Sequence, residues 1–369
     1  MELNHCGYHP SIPLKFPPLF DQAQTAALSL SLATPEVNHD ILIAWVYRHR
    51  LYRLLGSLWR ARREHNSTSP ITETLGRIEH WRHKMTGQTP FNWPSGKRIA
   101  IYLNIQLELW SEGCAPTYSV QTTGVKKGFV DTSGISWSQY GCKVGAWRLI
   151  RALEALKVPA TFVTNAKCGE LYPAVVKQII QSGHDIAAHG IWQNESLVEM
   201  SYEEQFQNIR TCFDMLEQAS GKRPEGWKST ASAITPEAVD ILIKQGVLWF
   251  ADRKDTDLPT RLHTEHGSIV SIPPTEYSDN RTLKGNPLDF YDVYKETFDY
   301  LYHHEPGSLL NLTVHCHSGG RPTMVAILHK LYAYFAQFPD VWFTTHGEIA
   351  KWMNAQAVDE ITYPSRFFK

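Results

Sequence analysis

From about Pro90 onward, short runs rich in β-branched and aromatic residues alternate with segments whose apolar residues recur at helical spacing. Arg98–Gln106 reads as a first strand, and Val144–Leu156 as a helix that ends before Val158-Pro159. Further strands are predicted at Ala160–Thr164, Asp185–Ala188, Gly226–Ser229, Leu248–Asp252, Ile269–Ile272, Leu309–His315 and Val341–Thr344. Between them the spacing predicts helices over Tyr172–Ser182, Ser201–Ser220, Pro236–Gln245, Leu288–His303 and Thr323–Phe338. Local punctuation supports these bounds: Gly183 stands at a C-cap position, Ser201 and Glu204 form a capping box, and Pro236 opens its helix. Strands separated by helices of this length imply parallel βαβ units. Closed into a barrel, such units present chemistry at the C-terminal ends of their strands.

Residues 1–89 differ in character and are predicted to form an N-terminal extension, partly helical or poorly ordered. Its segment ILIAWVYRHRLYRLLGSLWRARR (41–63) places leucines and Trp59 at helical spacing among six arginines from Arg48 to Arg63. This is the pattern of a membrane-surface or partner-binding helix, or of a helix that covers one end of the barrel with snorkelling arginines; we favour the second. The barrel is assigned to residues 90–356 and a C-terminal tail to 357–369.

The 36 basic and 37 acidic side chains nearly cancel, so general affinity for nucleic acid or acidic lipid is not expected. A small-molecule substrate is the default partner, and self-association into a homo-oligomer is compatible with this surface. The longest apolar stretch of the N-terminal region, Ile41 to Tyr47, falls far short of the ~20 residues that a membrane span needs. The six cysteines lack CxxC pairs, and MELNHCGYHP has no secretory pattern. Reduced thiols and a cytoplasmic location are the expectation.

Candidate chemistry gathers at the strand ends. Asn104, Gln106 and Glu108 share one face of the first strand by period-two alternation, with Leu103, Ile105 and Leu107 on the other. His189, Asn194 and Glu195 follow the strand in HDIAAHGIWQNES. In LTVHCHSGGRP, His315 and His317 lie two apart on one face, as in metal-binding pairs. Gly319-Gly320 with Arg321 would suit an oxygen atom of a substrate. Asp257, Glu276 and Asp279 are further carboxylates that gain value only in company.

In this order, WPSGKRIAIYLNIQLE, GAWRLIRALEALKVPATFVTNA, GHDIAAHGIWQNES, GKRPEGWKSTASAITPEAVDIL, DLP, IPPTEYSD, HCHSGGRP and VWFTTHGEIAKWM resemble the polysaccharide-deacetylase (NodB-homology) superfamily, and within it the allantoinase-like branch. The resemblance implies a distorted (β/α) barrel, an α/β fold. It also marks departures. Metal-dependent members carry an Asp pair where Asn104 and Gln106 stand, and a His-x-x-x-His whose second position is Gln193 here. Only His189 remains of the three expected metal ligands, and the usual Arg after Gly-Trp is Lys228. Neutral amides are poor zinc ligands, so no metal is expected at that site and no cofactor is assigned. Zinc held by some other set, such as His189, His315 and His317 with Asp257, stays open.

Allantoinase-like members are implied to hydrolyse C–N bonds of cyclic ureides or imides. The chain is therefore expected to be a C–N hydrolase that opens a small ring. Its catalytic residues would be Glu108, His189 and His315, with Glu108 or His315 as base and His189 as acid or carbonyl polariser. Substrate contacts are expected from Gln106, Asn194, Glu195, Asp257, Glu276 and Arg321, in a compact pocket with few aromatic rings. The alternatives are a carbohydrate N-deacetylase with an unorthodox metal site, and an inactive barrel used for binding.

Overall fold

The computed structural model describes residues 93–120, 125–126 and 128–368. The N-terminal extension and its basic segment lie outside the described residues. In chain order the elements are β1 (Ile99–Leu107), α1 (Thr132–Tyr140), a π turn (Gly141–Gly145), α2 (Ala146–Leu156), β2 (Thr161–Thr164), α3 (Ala166–Leu171), α4 (Pro173–Gln181), β3 (Asp185–Ala188), α5 (Tyr202–Ser220), β4 (Gly226–Trp227), α6 (Pro236–Lys244), β5 (Trp249–Phe250), β6 (Thr260–Thr264), β7 (Gly267–Ser271), α7 (Leu288–His304), β8 (Ser308–His315), α8 (Pro322–Phe335), β9 (Val341–Thr344), α9 (His346–Asn354) and α10 (Tyr363–Phe367).

The strands form one curled sheet in the order β6-β7-β5-β4-β3-β2-β1-β8. Every pairing is parallel except the β6–β7 hairpin. β1 is the keel: β8 runs along its length, while β9 pairs with Ile99–Tyr102 and β2 with Asn104–Leu107. Among the described residues, no strand pairs β6 with β8; the segment after β7 meets β8 through an isolated bridge between Ser278 and Thr313, so the barrel is distorted, as the resemblance implied.

Alternation along β1 sorts the two sides of the sheet. Ile99, Ile101, Leu103, Ile105 and Leu107 join the core between sheet and helices, and Ala100 and Tyr102 point inward with Trp249 and Val270. His346, at the start of α9, stacks on Trp249 at 4.4 Å and meets Tyr102 at 4.2 Å, filling the barrel floor. Each buried side chain of this size contributes roughly 1.5–3 kcal/mol. Above the apolar floor, the next inward positions of β1 are polar, and the mouth begins there.

The predicted capping box of α5 is present: Ser201 Oγ accepts from Glu204 N, and the Glu204 carboxylate accepts from Ser201 N. β3 and β9 have their predicted bounds. The polar hairpin strand β6 was not anticipated because TRLHT shows no alternation of apolar and polar positions. The helix predicted from Val144 starts instead as a π turn, continuous with the unanticipated α1. Such turns concentrate near functional sites. Here the turn packs behind the β8–α8 loop. A Cβ on Gly145 would sit 1.8 Å from the Cys316 carbonyl oxygen, and one on Gly320 would sit 2.4 Å from the Gly145 Cα. Gly319-Gly320 thus serves close packing. The final residues are docked as well, with Asp359 pairing to Arg261 on β6 and the buried Arg366 bonding the Pro306 carbonyl.

Candidate active site

The strand ends deliver one side chain after another to a single cavity of about 960 Å³. Gln106 comes from β1 and Glu108 follows it, His189 follows β3, Lys228 follows β4 and His315 ends β8. Ala188 pairs with Trp227 in register, so His189 and Lys228 occupy matching positions on adjacent strands. Asn165 locks the first and third strand ends together: its Oδ1 accepts from Leu109 N at 3.0 Å, and its Nδ2 donates to the His189 carbonyl at 2.5 Å. That clamp keeps Glu108 and His189 face to face.

Glu108 is the hub. One carboxylate oxygen lies 3.7 Å from His189 Nε2 and 3.9 Å from His315 Nε2, and the other lies 3.9 Å from His317 Nδ1. The Tyr118 hydroxyl donates to the second oxygen at 3.3 Å and lies 3.3 Å from His317 Nε2. Burial alone would raise the Glu108 carboxyl, but His315 and the other two imidazoles outweigh it and hold it at about 2. Tyr118 is pushed up by burial and by Glu108, so it remains a hydrogen-bond donor.

The imidazoles differ. His315 Nδ1 lies 2.6 Å from Asp279 Oδ1, and Asp279 also accepts from His315 N and from Ser318 Oγ. Burial opposes the charged form of His315, yet the carboxylates of Asp279 and Glu108 prevail and raise it to about 9. His189 Nδ1 donates to the Lys228 carbonyl at 2.6 Å. A carbonyl can only accept, so Nδ1 carries a proton, and in the neutral form of the ring Nε2 presents its lone pair toward Glu108. His317 is fully buried against Trp137, and desolvation lowers it to about 4.

A zinc ion of the usual kind does not fit these donors. Gln106 and Gln193 offer neutral amides where a carboxylate and an imidazole are needed. Asn104 donates from Nδ2 to Thr313 Oγ1 at 3.2 Å, and its buried Oδ1 has no partner. Among the described residues, no three His, Cys, Asp or Glu side chains are arranged to hold a metal.

Of the residues expected at the site, Gln106, Glu108, His189, Asn194, Glu276 and His315 line the cavity. Asn194 is engaged with Ser111, accepting from its N–H at 2.8 Å and donating to its Oγ at 2.9 Å, and Glu276 sits exposed on the rim. Three others are not brought there. Glu195 accepts from Asn208 Nδ2 at 3.1 Å, Asp257 is exposed beside a neighbouring cavity, and Arg321 stacks 3.6 Å over the Tyr140 ring and donates to the His317 carbonyl. Sharing a loop with a site residue does not aim a side chain into the site. Trp110 and Tyr118 supply aromatic wall, so the pocket is larger and more aromatic than expected. Tyr118, Asn165 and Lys228 were missed as contributors, and Asp279 was named among the further carboxylates without a role. Only Asp279 and Lys228 carried a signal, the first as a carboxylate in a loop after β7 and the second as a cation directly after a strand.

The polysaccharide deacetylase profile matches residues 139–248. The barrel is similar to the polysaccharide deacetylases. A Schizosaccharomyces pombe protein named as a polysaccharide deacetylase is 24% identical over 304 residues, covering 72% of this chain and 92% of that protein. The peptidoglycan deacetylase of Helicobacter pylori is 21% identical over 253 residues, covering 58% of this chain and 86% of its own. The crystal structure of Puue allantoinase superposes with a TM-score of 0.65 at 25% identity, covering 73% of this chain and 95% of the allantoinase. These likenesses support a hydrolase acting on C–N bonds. Among the described residues, no helix is long and apolar enough to cross a membrane.

Proposed function

We propose that this chain hydrolyses a C–N bond within a small cyclic ureide or imide, using its own side chains as acid and base. The observation that carries the reading is the pair of imidazoles facing Glu108 whose Nδ1 atoms meet different partners. The Lys228 carbonyl takes the Nδ1 proton of His189, which leaves Nε2 to accept in the neutral ring, and His315 is held as a donor by Asp279 and Glu108. His189 Nε2 and the Glu108 oxygen are 3.7 Å apart, a spacing that suits a water donating to both.

In this mechanism His189 Nε2 takes a proton as the water oxygen bonds to the ring carbonyl carbon. The C–N bond then breaks, and the His315 imidazolium gives its Nε2 proton to the departing nitrogen, which stays attached to the opened chain. Exchange with solvent returns one proton to His315 and removes one from His189. Glu108 orients the water and keeps His315 charged. These roles reverse the acid and base expected from sequence, and the tautomer of His189 is the reason.

A ring carbonyl whose nitrogen carries a second acyl group, as in an imide or hydantoin, is more electrophilic than the acetamide of a sugar, which leans on a metal for several kcal/mol of polarisation. The likeness to Puue allantoinase supports a ring substrate. The size of the cavity favours a second reading, removal of acetyl groups from a carbohydrate, which the H. pylori relative's name also suggests. Mass spectrometry of the purified protein with hydantoins and cyclic imides tests the first reading. A product heavier than its substrate by one water is expected, and an unchanged substrate across the panel would reject it.

A further inference from the structure

Lys228 is a cation buried to 4% exposure in the wall of the cavity that holds Glu108, His189 and His315. Its obvious partner is Asp252, but that contact is 3.9 Å, too long for a hydrogen bond. Asp252 is already occupied: it accepts from Ser229 N at 3.0 and 3.1 Å and from Ser229 Oγ at 3.0 Å. The ammonium donates instead to Ser232 Oγ at 2.8 Å and to the Ala251 carbonyl at 3.0 Å. An ammonium has three N–H groups, and these bonds use two.

The loop that supplies Ser232 is strained. Ala231 and Ser232 both have φ of 54°, a left-handed conformation that is costly for a non-glycine residue. The surroundings enforce it. Asp252 pins Ser229, Trp227 Nε1 donates to Ser229 Oγ at 2.9 Å, and Thr230 Oγ1 donates to the Glu195 carbonyl. Both left-handed residues line the cavity beside Lys228. Strain held in place at a cavity wall, with the result that a hydroxyl meets a buried ammonium, is the signature of a preorganised site.

We propose that the Lys228 ammonium, steadied by Ser232, donates its remaining hydrogen bond to the carbonyl oxygen of the scissile C–N bond. This rests on the ring-opening reading and deepens it. As water adds to the carbon, negative charge grows on that oxygen, and a fixed cation in a dry site stabilises it without reorganising. Lys228 also positions His189, because its own carbonyl accepts the Nδ1 proton. One residue therefore sets the base through its backbone and holds the carbonyl oxygen through its side chain. The site would accept neutral carbonyl rings: hydantoins, imides and related lactams.

The test uses the full chain with Lys228→Met, Lys228→Arg and Ser232→Ala. With hydantoin or succinimide, Lys228→Met is expected to lower kcat by roughly two to three orders of magnitude with KM nearly unchanged. Lys228→Arg is expected to recover at least about tenfold of that loss, and Ser232→Ala to lose about tenfold, as Lys228 then loses one of its two bonds. A rise in KM with kcat intact would overturn the proposal. The second readout is infrared spectroscopy of carbonyl-labelled succinimide bound to Glu108→Gln protein. Its carbonyl stretch should fall below the solution value and return when Lys228→Met is added. A shift that depends on Lys228 in a protein that opens no ring would retain the carbonyl site and reject the reaction. A stretch indifferent to Lys228, or no binding of succinimide at all, would overturn the proposal itself. Should Lys228→Met fail to fold, Ser232→Ala and Lys228→Arg carry both readouts.

Discussion

Asp279 Oδ1 lies 2.6 Å from His315 Nδ1, and the far nitrogen of the same ring lies 3.9 Å from Glu108. One imidazole is thereby held between two carboxylates, one that orients it and one that shares the cavity with substrate. The arrangement makes a histidine a standing acid at neutral pH.

Asp279→Asn keeps an oxygen that can accept from His315 Nδ1 but removes a charge. His315 should then titrate well below its present value of about 9. The alkaline limb of the kcat/KM profile, expected near pH 9 in the parent, should move to lower pH, and turnover at neutral pH should fall by roughly two orders of magnitude. An unmoved limb with an unchanged rate would show that His315 is not the acid.

Glu108→Gln removes the other carboxylate. Turnover should fall by roughly two to four orders of magnitude, and the alkaline limb should again shift downward. The variant should still fold, because the amide keeps the shape of the side chain and can still accept from the Tyr118 hydroxyl. Unfolding of this variant would assign Glu108 a structural role.

Stability should peak near pH 6.5. His315 is raised from 6.5 to about 9, so its contribution is fully present below 6.5 and is lost as pH rises through 9. His317 is lowered from 6.5 to about 4 and Glu108 from 4.5 to about 2, so their contributions are present above 6.5 and 4.5 and vanish as pH falls through the lower values. Thermal midpoints measured from pH 3 to 10 check this, and His315→Asn should flatten the alkaline side and also weaken the acid side, because His315 helps to hold Glu108 down.

Chelation should leave activity intact, and purified protein should carry zinc well below one equivalent. Joint loss of metal and activity on treatment with a chelator, restored by zinc, would contradict this reading of the donor set.

The sequence revealed the scaffold because its signals are local. Alternation along β1 placed Gln106 and Glu108 at the mouth, and the Ser201 capping box fixed the start of α5. The Asp279–His315 contact spans 36 positions and depends on how the loop after β7 crosses β8, so nothing periodic announces it. Arg321 follows a glycine pair in sequence, yet the close packing of Gly320 on Gly145 turns that loop outward and sends the guanidinium over Tyr140. Lys228 looked like a lost arginine from the resemblance alone. Its burial and its two hydrogen bonds emerge only once β5 and the strained loop surround it.

The most direct test of the central claim is a side-by-side assay of a hydantoin, a cyclic imide and an N-acetylated chitooligosaccharide. Ring absorbance is followed for the first two and acetate release for the third. Loss of ring absorbance, abolished in Glu108→Gln and unaffected by chelator, with no acetate released, is the predicted result. Acetate release at a useful rate with every ring intact would contradict it.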